Sequence, residues 1–151
     1  MPFAVQQRDV ENIVILDLSG RLVAGPDAAD MRRAFDHLKA AQKNRVILNL
    51  KEIEYIDSTG LGTLVIGHST VTDSGGSMKL LNLSKRSAQL LILTKLSTVF
   101  EIFDDEQSAI NSFFPEREIK RFDILEFVKS HEGDKQHVGS GPSSKPEPSE
   151  S

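Results

Sequence analysis

The chain predicts an α/β fold in which helices pack on a mixed, mainly parallel sheet. Short β-branched and apolar runs alternate with segments whose apolar residues recur at intervals of three and four. Helix start and stop signals fall between them, at Pro26-Asp27, Gly75-Gly76 and Ser84.

Phe3 to Arg8 reads as a short first strand, with Asp9 to Asn12 as the turn after it. Ile13 to Gly20 is a β-branched strand, and the pattern breaks from Gly20 to Pro26. Pro26 suits the first turn of a helix, while Asp27 and Asp30 suit its positive end. Ala28, Met31, Phe35 and Leu38 give that helix an apolar face. Arg45 to Leu50 is short and apolar enough for a buried strand. A second helix fits residues 58 to 74, with Leu61, Leu64, Val65, His68 and Val71 on one side. Gly75-Gly76 ends it, because glycine reaches left-handed backbone angles cheaply. Met78 to Leu83 is the next strand, and Ser84 caps a helix to about Leu93. Val99 to Phe103 is the last strand. Asp104-Asp105-Glu106 opens a helix carrying Ala109, Ile110 and Phe113.

Residues 1–114 therefore form the domain. Pro115 marks a break, and residues 115–131 read as an additional amphipathic helix with Ile119, Phe122, Leu125 and Val128 along one edge. Residues 132–151, rich in Gly, Ser, Pro, Lys and Glu, bury too little apolar surface to offset chain entropy and are expected to be disordered.

The 151 residues carry a formal net charge of −4, which disfavours direct contact with nucleic acid or an anionic membrane. There is no cysteine, so disulfides, thiolate chemistry and sulfur-ligated zinc are excluded. His37, His68, His131 and His137 stand at no metal-ligand spacing, and no metal or cofactor is expected. No signal peptide is evident, and no apolar run approaches the roughly 20 residues of a membrane span. The expected compartment is the cytoplasm.

The segment Asp57-Ser58-Thr59-Gly60-Leu61-Gly62 follows a strand and opens a helix. Asp57 is a good N-cap, able to accept from the backbone N–H of Thr59 or Gly60. Ser58 then takes the first helical position with its hydroxyl spare. A phosphate there would meet unpaired helix N–H groups and add nearly two negative charges beside Asp57. Gly60 and Gly62 each cost about 1 kcal/mol of helix propensity against alanine. Either tight internal packing or the close approach of a partner would offset that cost. The sequence offers Ser58 no G-x-S-x-G context and no base, so hydrolase chemistry is not supported. His68 reads as a core or boundary residue, Ser74 to Ser77 as a turn, and Lys85-Arg86 as a lone basic pair on a solvated face.

Ile56 to Gly62 resembles the signature of STAS domains of the anti-sigma factor antagonist type. Leu18-Ser19-Gly20-Arg21-Leu22, Val46 to Leu50 and Leu96 to Phe103 match as flanks, so the resemblance runs from about Phe3 to Phe114. It implies a STAS-like fold and a module that catalyses nothing. Unphosphorylated, such a module binds an anti-sigma factor that is also a serine kinase. Phosphorylation at the signature serine, here Ser58, dissociates the complex, and a serine phosphatase restores the active form. The resemblance also implies a docking face built from the loop Gly20 to Gly25, with Arg21, Leu22 and Val23, and from the helix start Asp57 to Gly62. Many phosphorylated members carry an acidic residue where Val23 stands. A homo-oligomer formed through the C-terminal extension is a further expectation. Two alternative functions are a scaffold subunit of a signalling assembly and an accessory subunit of a membrane transporter.

Overall fold

The computed structural model describes residues 2–129, so the expected disordered tail and the last two residues of the expected extra helix lie outside the described residues. Strand β1 (Ala4–Val10) pairs antiparallel with β2 (Ile13–Leu22). Glu11 and Asn12 alone form the turn, both at positive φ (52° and 68°), which matches the twist of a two-residue hairpin. The first strand therefore outruns its expected end: Asp9 and Val10, read as turn residues, pair with Val14 and Ile13.

Helix α1 (Pro26–Ala40) is followed by β3 (Arg45–Ile56), α2 (Ser58–Asp73), β4 (Ser77–Leu81), α3 (Lys85–Leu93), β5 (Glu101–Phe103) and α4 (Glu106–Asn111). The sheet order is β1-β2-β3-β4-β5, and every pairing after the first is parallel. Each crossover steps to the adjacent strand in one direction, so right-handed connections set α1, α2 and α3 on the same face. Met31, Phe35, Leu38, Leu61, Leu64, Val71, Ala88 and Leu91 close that face over Val14, Leu16, Val46, Leu48 and Leu80. The opposite face is smaller: Ala109 and Ile110 of α4 cover Ile13, Ile15, Ile47, Leu81 and Phe103.

Two strands run longer than their local patterns. β2 continues through Gly20 to Leu22, and β3 continues past Leu50 to Ile56. Register shifts at Asp17/Ser19 and Gly20/Arg21 keep the ladder intact, and Gly20 absorbs one of them at φ 89°. Arg21 and Leu22, expected in a loop, are thus strand residues opposite Tyr55 and Ile56. At the other end, Val99 and Phe100 belong to a turn that precedes β5. The Val99 N–H donates to the Leu96 carbonyl (3.0 Å), and Phe100 turns into the core.

The C-terminal extension also departs from expectation. Among the described residues of the extension, helix spans only 124–129. Residues 116–123 are held instead by tertiary bonds: the Lys120 N–H donates to Ser108 Oγ (2.9 Å), and Asn111 Nδ2 donates to the Glu118 carbonyl (3.1 Å). Arg117 stacks on Phe114 (4.0 Å) and pairs with Glu11 (2.8 Å). Asp123 then starts the helix, accepting from the N–H groups of Leu125 and Glu126 (3.1 Å each). Val128 joins the main core, while Ile119 and Leu125 face outward, 39% and 57% exposed. Among the described residues no helix is long and apolar enough to cross a membrane.

Candidate functional site

The carboxyl ends of β2 and β3 and the start of α2 meet at Asp57. Its backbone is extended (φ −91°, ψ −178°), as an N-cap requires. One carboxylate oxygen accepts from the Gly60 N–H at 2.7 Å and the other from the Ala24 N–H at 3.0 Å. The Asp57 N–H donates to the Leu22 carbonyl at 3.2 Å. Asp57 therefore caps the helix and ties the loop after β2 to it. The Gly60 and Ala24 N–H groups hold its carboxyl below the usual carboxylate range, so it is a fixed negative charge at neutral pH.

Ser58 is the first residue of α2 and is exposed, and no hydrogen bond among the described residues engages its hydroxyl. Thr59 is exposed beside it, and its carbonyl accepts from the Thr63 hydroxyl at 3.0 Å. The two glycines differ. A Cβ on Gly60 would lie 2.2 Å from the Leu22 carbonyl oxygen, so internal packing explains this glycine. A Cβ on Gly62 would meet nothing within 4 Å.

The expected docking residues sort by burial. Arg21, Ser58 and Thr59 are exposed, and Val23, Asp57 and Gly62 are half-buried. Leu22, Gly60 and Leu61 are buried in the core and shape the face from beneath without offering side chains to a partner. His68 lies at the boundary, edge-on to Phe100 with ring centroids 5.2 Å apart. The acidic start of α4 does more than face solvent: Asp105 caps it by accepting from the Ser108 N–H (2.9 Å), and Glu106 pairs with Arg8 (2.6 Å).

Tyr55, which no sequence motif marks, gathers two arginines at this end of the sheet, one of them Arg86, exposed as expected. The guanidinium carbons of Arg21 and Arg86 lie 5.8 Å and 5.4 Å from the Tyr55 ring centroid. Tyr55 stands three residues before Ser58, at the end of the strand that leads into it. No local pattern announces this cluster, because it depends on the β2–β3 register and on where α3 begins.

A mixed, mainly parallel sheet whose strand ends present an exposed serine at a capped helix start, beside a pinned loop, defines an α/β module. The STAS domain model matches residues 4–109, and the chain belongs to that family. The anti-sigma F factor antagonist of Paenibacillus polymyxa is 23% identical over 110 residues, covering 73% of this chain and 94% of that protein. The anti-sigma-B factor antagonist of Bacillus subtilis is 45% identical over 53 residues, 35% of this chain and 49% of that protein. Among solved structures, a Thermotoga maritima protein provisionally assigned as an anti-sigma factor antagonist superposes with a TM-score of 0.68 at 27% identity, covering 72% of this chain and 92% of that one. Bacillus SpoIIAA in its phosphorylated form gives 0.59 at 20% identity, covering 73% and 99%. The fold also occurs in a sulfate transporter family protein of Wolinella succinogenes (0.60, 18% identity, 70% and 87% covered).

Proposed function

We propose that this chain is an anti-sigma factor antagonist. Unphosphorylated, it binds an anti-sigma factor with serine kinase activity, and phosphorylation at Ser58 switches it off and so regulates transcription. The observation that carries the reading is the exposed, unengaged Ser58 hydroxyl at the first position of a helix whose cap also pins the Gly20–Gly25 loop. A phosphate on Ser58 would place nearly two charges beside the ionised Asp57 without disturbing the core. A partner docked across this face would meet that charge directly. Gly62 supports the same reading, since its helix cost is not offset by internal packing and a smooth first turn suits close approach.

In this reading the chain is cytoplasmic and catalyses nothing. ATP belongs to the kinase, and a serine phosphatase resets Ser58. Residues 1–114 are the working module, a reading supported by the family match over 4–109, and the extension is an appended segment. A homo-oligomer through the extension would cover Leu125, which is 57% exposed. A transporter-accessory role has only the shared fold behind it.

The test is a pulldown from the native cytoplasm with the wild-type chain and with Ser58→Asp, alongside intact-mass measurement of the recovered wild type. The expected result is a kinase-domain protein retained by wild type and lost by Ser58→Asp, with a fraction of wild type carrying one phosphate. Equal capture by both, or a wild type that never gains phosphate in the presence of the captured protein and ATP, would overturn the switch.

A further inference from the structure

Arg21 and Tyr55 are partners across the parallel β2–β3 ladder, and Arg86 is the second residue of α3. Both guanidinium groups approach the one Tyr55 ring, at 5.8 Å and 5.4 Å. Both arginines are exposed, and neither guanidinium has an ion pair or hydrogen bond among the described residues. Elsewhere Arg8 and Arg117 are each neutralised by a carboxylate, at 2.7 Å and 2.8 Å. The chain has 22 acidic residues against 18 basic ones, yet among the described residues no carboxylate pairs with either of these two arginines. Like charges gathered on one ring repel each other, and the ring quadrupole offsets only part of that. Arg21 is also the sole charged side chain from Gly20 to Pro26, and the Asp57 carboxylate beside that loop is spent on the Ala24 and Gly60 N–H groups rather than on an arginine.

We infer that Arg21 and Arg86, held by Tyr55, form a cationic contact point that receives a carboxylate-rich surface of the protein partner. The inference rests on the reading of the Ser58 face as a docking face, and it names the chemistry of what docks there. Guanidinium groups match carboxylates in a two-pronged geometry, and two of them side by side suit neighbouring acidic side chains. Exposed arginines around a half-buried ring suit a protein surface laid across them. The cluster shares one end of the sheet with Ser58, since the carboxyl ends of β2 and β3 and the first turns of α2 and α3 lie together there. A phosphate on Ser58 would repel the same carboxylates and compete for the guanidiniums, so the cluster supplies a physical reason for release.

Tyr55 is the one tyrosine of the chain and there is no tryptophan, so intrinsic fluorescence reports this cluster alone. The full chain is titrated with hexaglutamate, hexalysine and inorganic phosphate while tyrosine emission is followed. Hexaglutamate is expected to give a saturable change, weakened by about ten-fold or more in the doubly substituted Arg21→Gln, Arg86→Gln chain, the loss of paired charged hydrogen bonds. Lys39→Gln, a surface change on α1, is expected to leave it unaltered. Circular dichroism confirms that each variant is folded, and single substitutions serve if the double one is not. No saturable response to hexaglutamate, or an equal response in the arginine variants, would overturn the inference. Tighter saturation by inorganic phosphate would also overturn it, by assigning the cluster to phosphate capture. A cluster that binds hexaglutamate in a chain whose Ser58 never gains phosphate separates the two ideas, sinking the switch while leaving the contact point.

Discussion

At Gly60 and Gly62, two residues of one type in one helical turn have opposite reasons for being there. A methyl group on Gly60 would collide with the Leu22 carbonyl oxygen at 2.2 Å, and backbone cannot swing aside as a side chain can. Gly60→Ala is therefore expected to destabilise the fold by about 1–3 kcal/mol, the range for overpacking. Gly62→Ala meets nothing within 4 Å and gains helix propensity, so it is expected to stabilise by up to about 1 kcal/mol. Urea denaturation of both variants reads the two signs directly, and shifts of the same sign would refute this account of the first turn. Asp57 holds two elements with its two oxygens, at 2.7 Å from the Gly60 nitrogen and 3.0 Å from that of Ala24. Asp57→Ala is expected to cost about 1–2 kcal/mol, toward the upper end for an N-cap because a loop is released as well. Hydrogen exchange is expected to quicken at both Ala24 and Gly60. Quickening at Gly60 alone would confine Asp57 to the helix cap.

Among the elements, α4 has only six residues and gains little from its own helical bonds. It stays on the sheet through Ala109 and Ile110 and through one arginine. Arg8 of β1 bonds Asp17 at 2.7 Å and 3.2 Å and Glu106 at 2.6 Å and 2.9 Å, and Asn49 adds a bond to Asp17 at 2.8 Å. These side chains are more than a third exposed or close to it, so the pairs are partly screened. Arg8→Gln is expected to cost about 1 kcal/mol, with faster hydrogen exchange in α4 ahead of the rest of the sheet. Uniform protection across α4 and β3 in that variant would show that Arg8 does not fasten the helix. The helices of the main layer were legible because their evidence is local: Pro26, the spacing of Met31, Phe35 and Leu38, and the cap at Ser84. The ends of β2 and β3 were not, because only their mutual ladder carries them past Gly20 and Leu50. The extension misled because Ile119, Phe122, Leu125 and Val128 are spaced by three, as a helix edge would be. Tertiary bonds at Glu118 and Lys120 claim that backbone first, and only the stretch after Asp123 is helical. The capped serine was legible from its own segment, whereas the Tyr55 cluster joins three elements and no single stretch displays it.

Across the molecule, stability should depend on pH through carboxylates that the fold keeps ionised. The N–H groups of Gly60 and Ala24 lower Asp57, and the Ser108 N–H and hydroxyl lower Asp105. Lys43 and Gln7 lower Asp9. Burial pushes Asp17 up, but its bonds to Arg8 and Asn49 and the Arg8 charge outweigh that and leave it low. Each of these groups binds a proton less tightly in the folded chain than in the unfolded one. Below the ordinary aspartate pKa of about 3.9 the unfolded chain takes up protons first, so stability rises with pH through that window. The contribution is complete above it and is lost as pH falls through the lowered native values. Urea midpoints are therefore expected to be level from neutral pH to about 5 and to fall steeply below about 4. Asp57→Asn separates the terms, because asparagine still caps a helix but does not titrate. Its acid limb should be shallower than that of wild type, with its urea m-value unchanged. An acid limb unaltered by Asp57→Asn would remove the Asp57 clasp from the account.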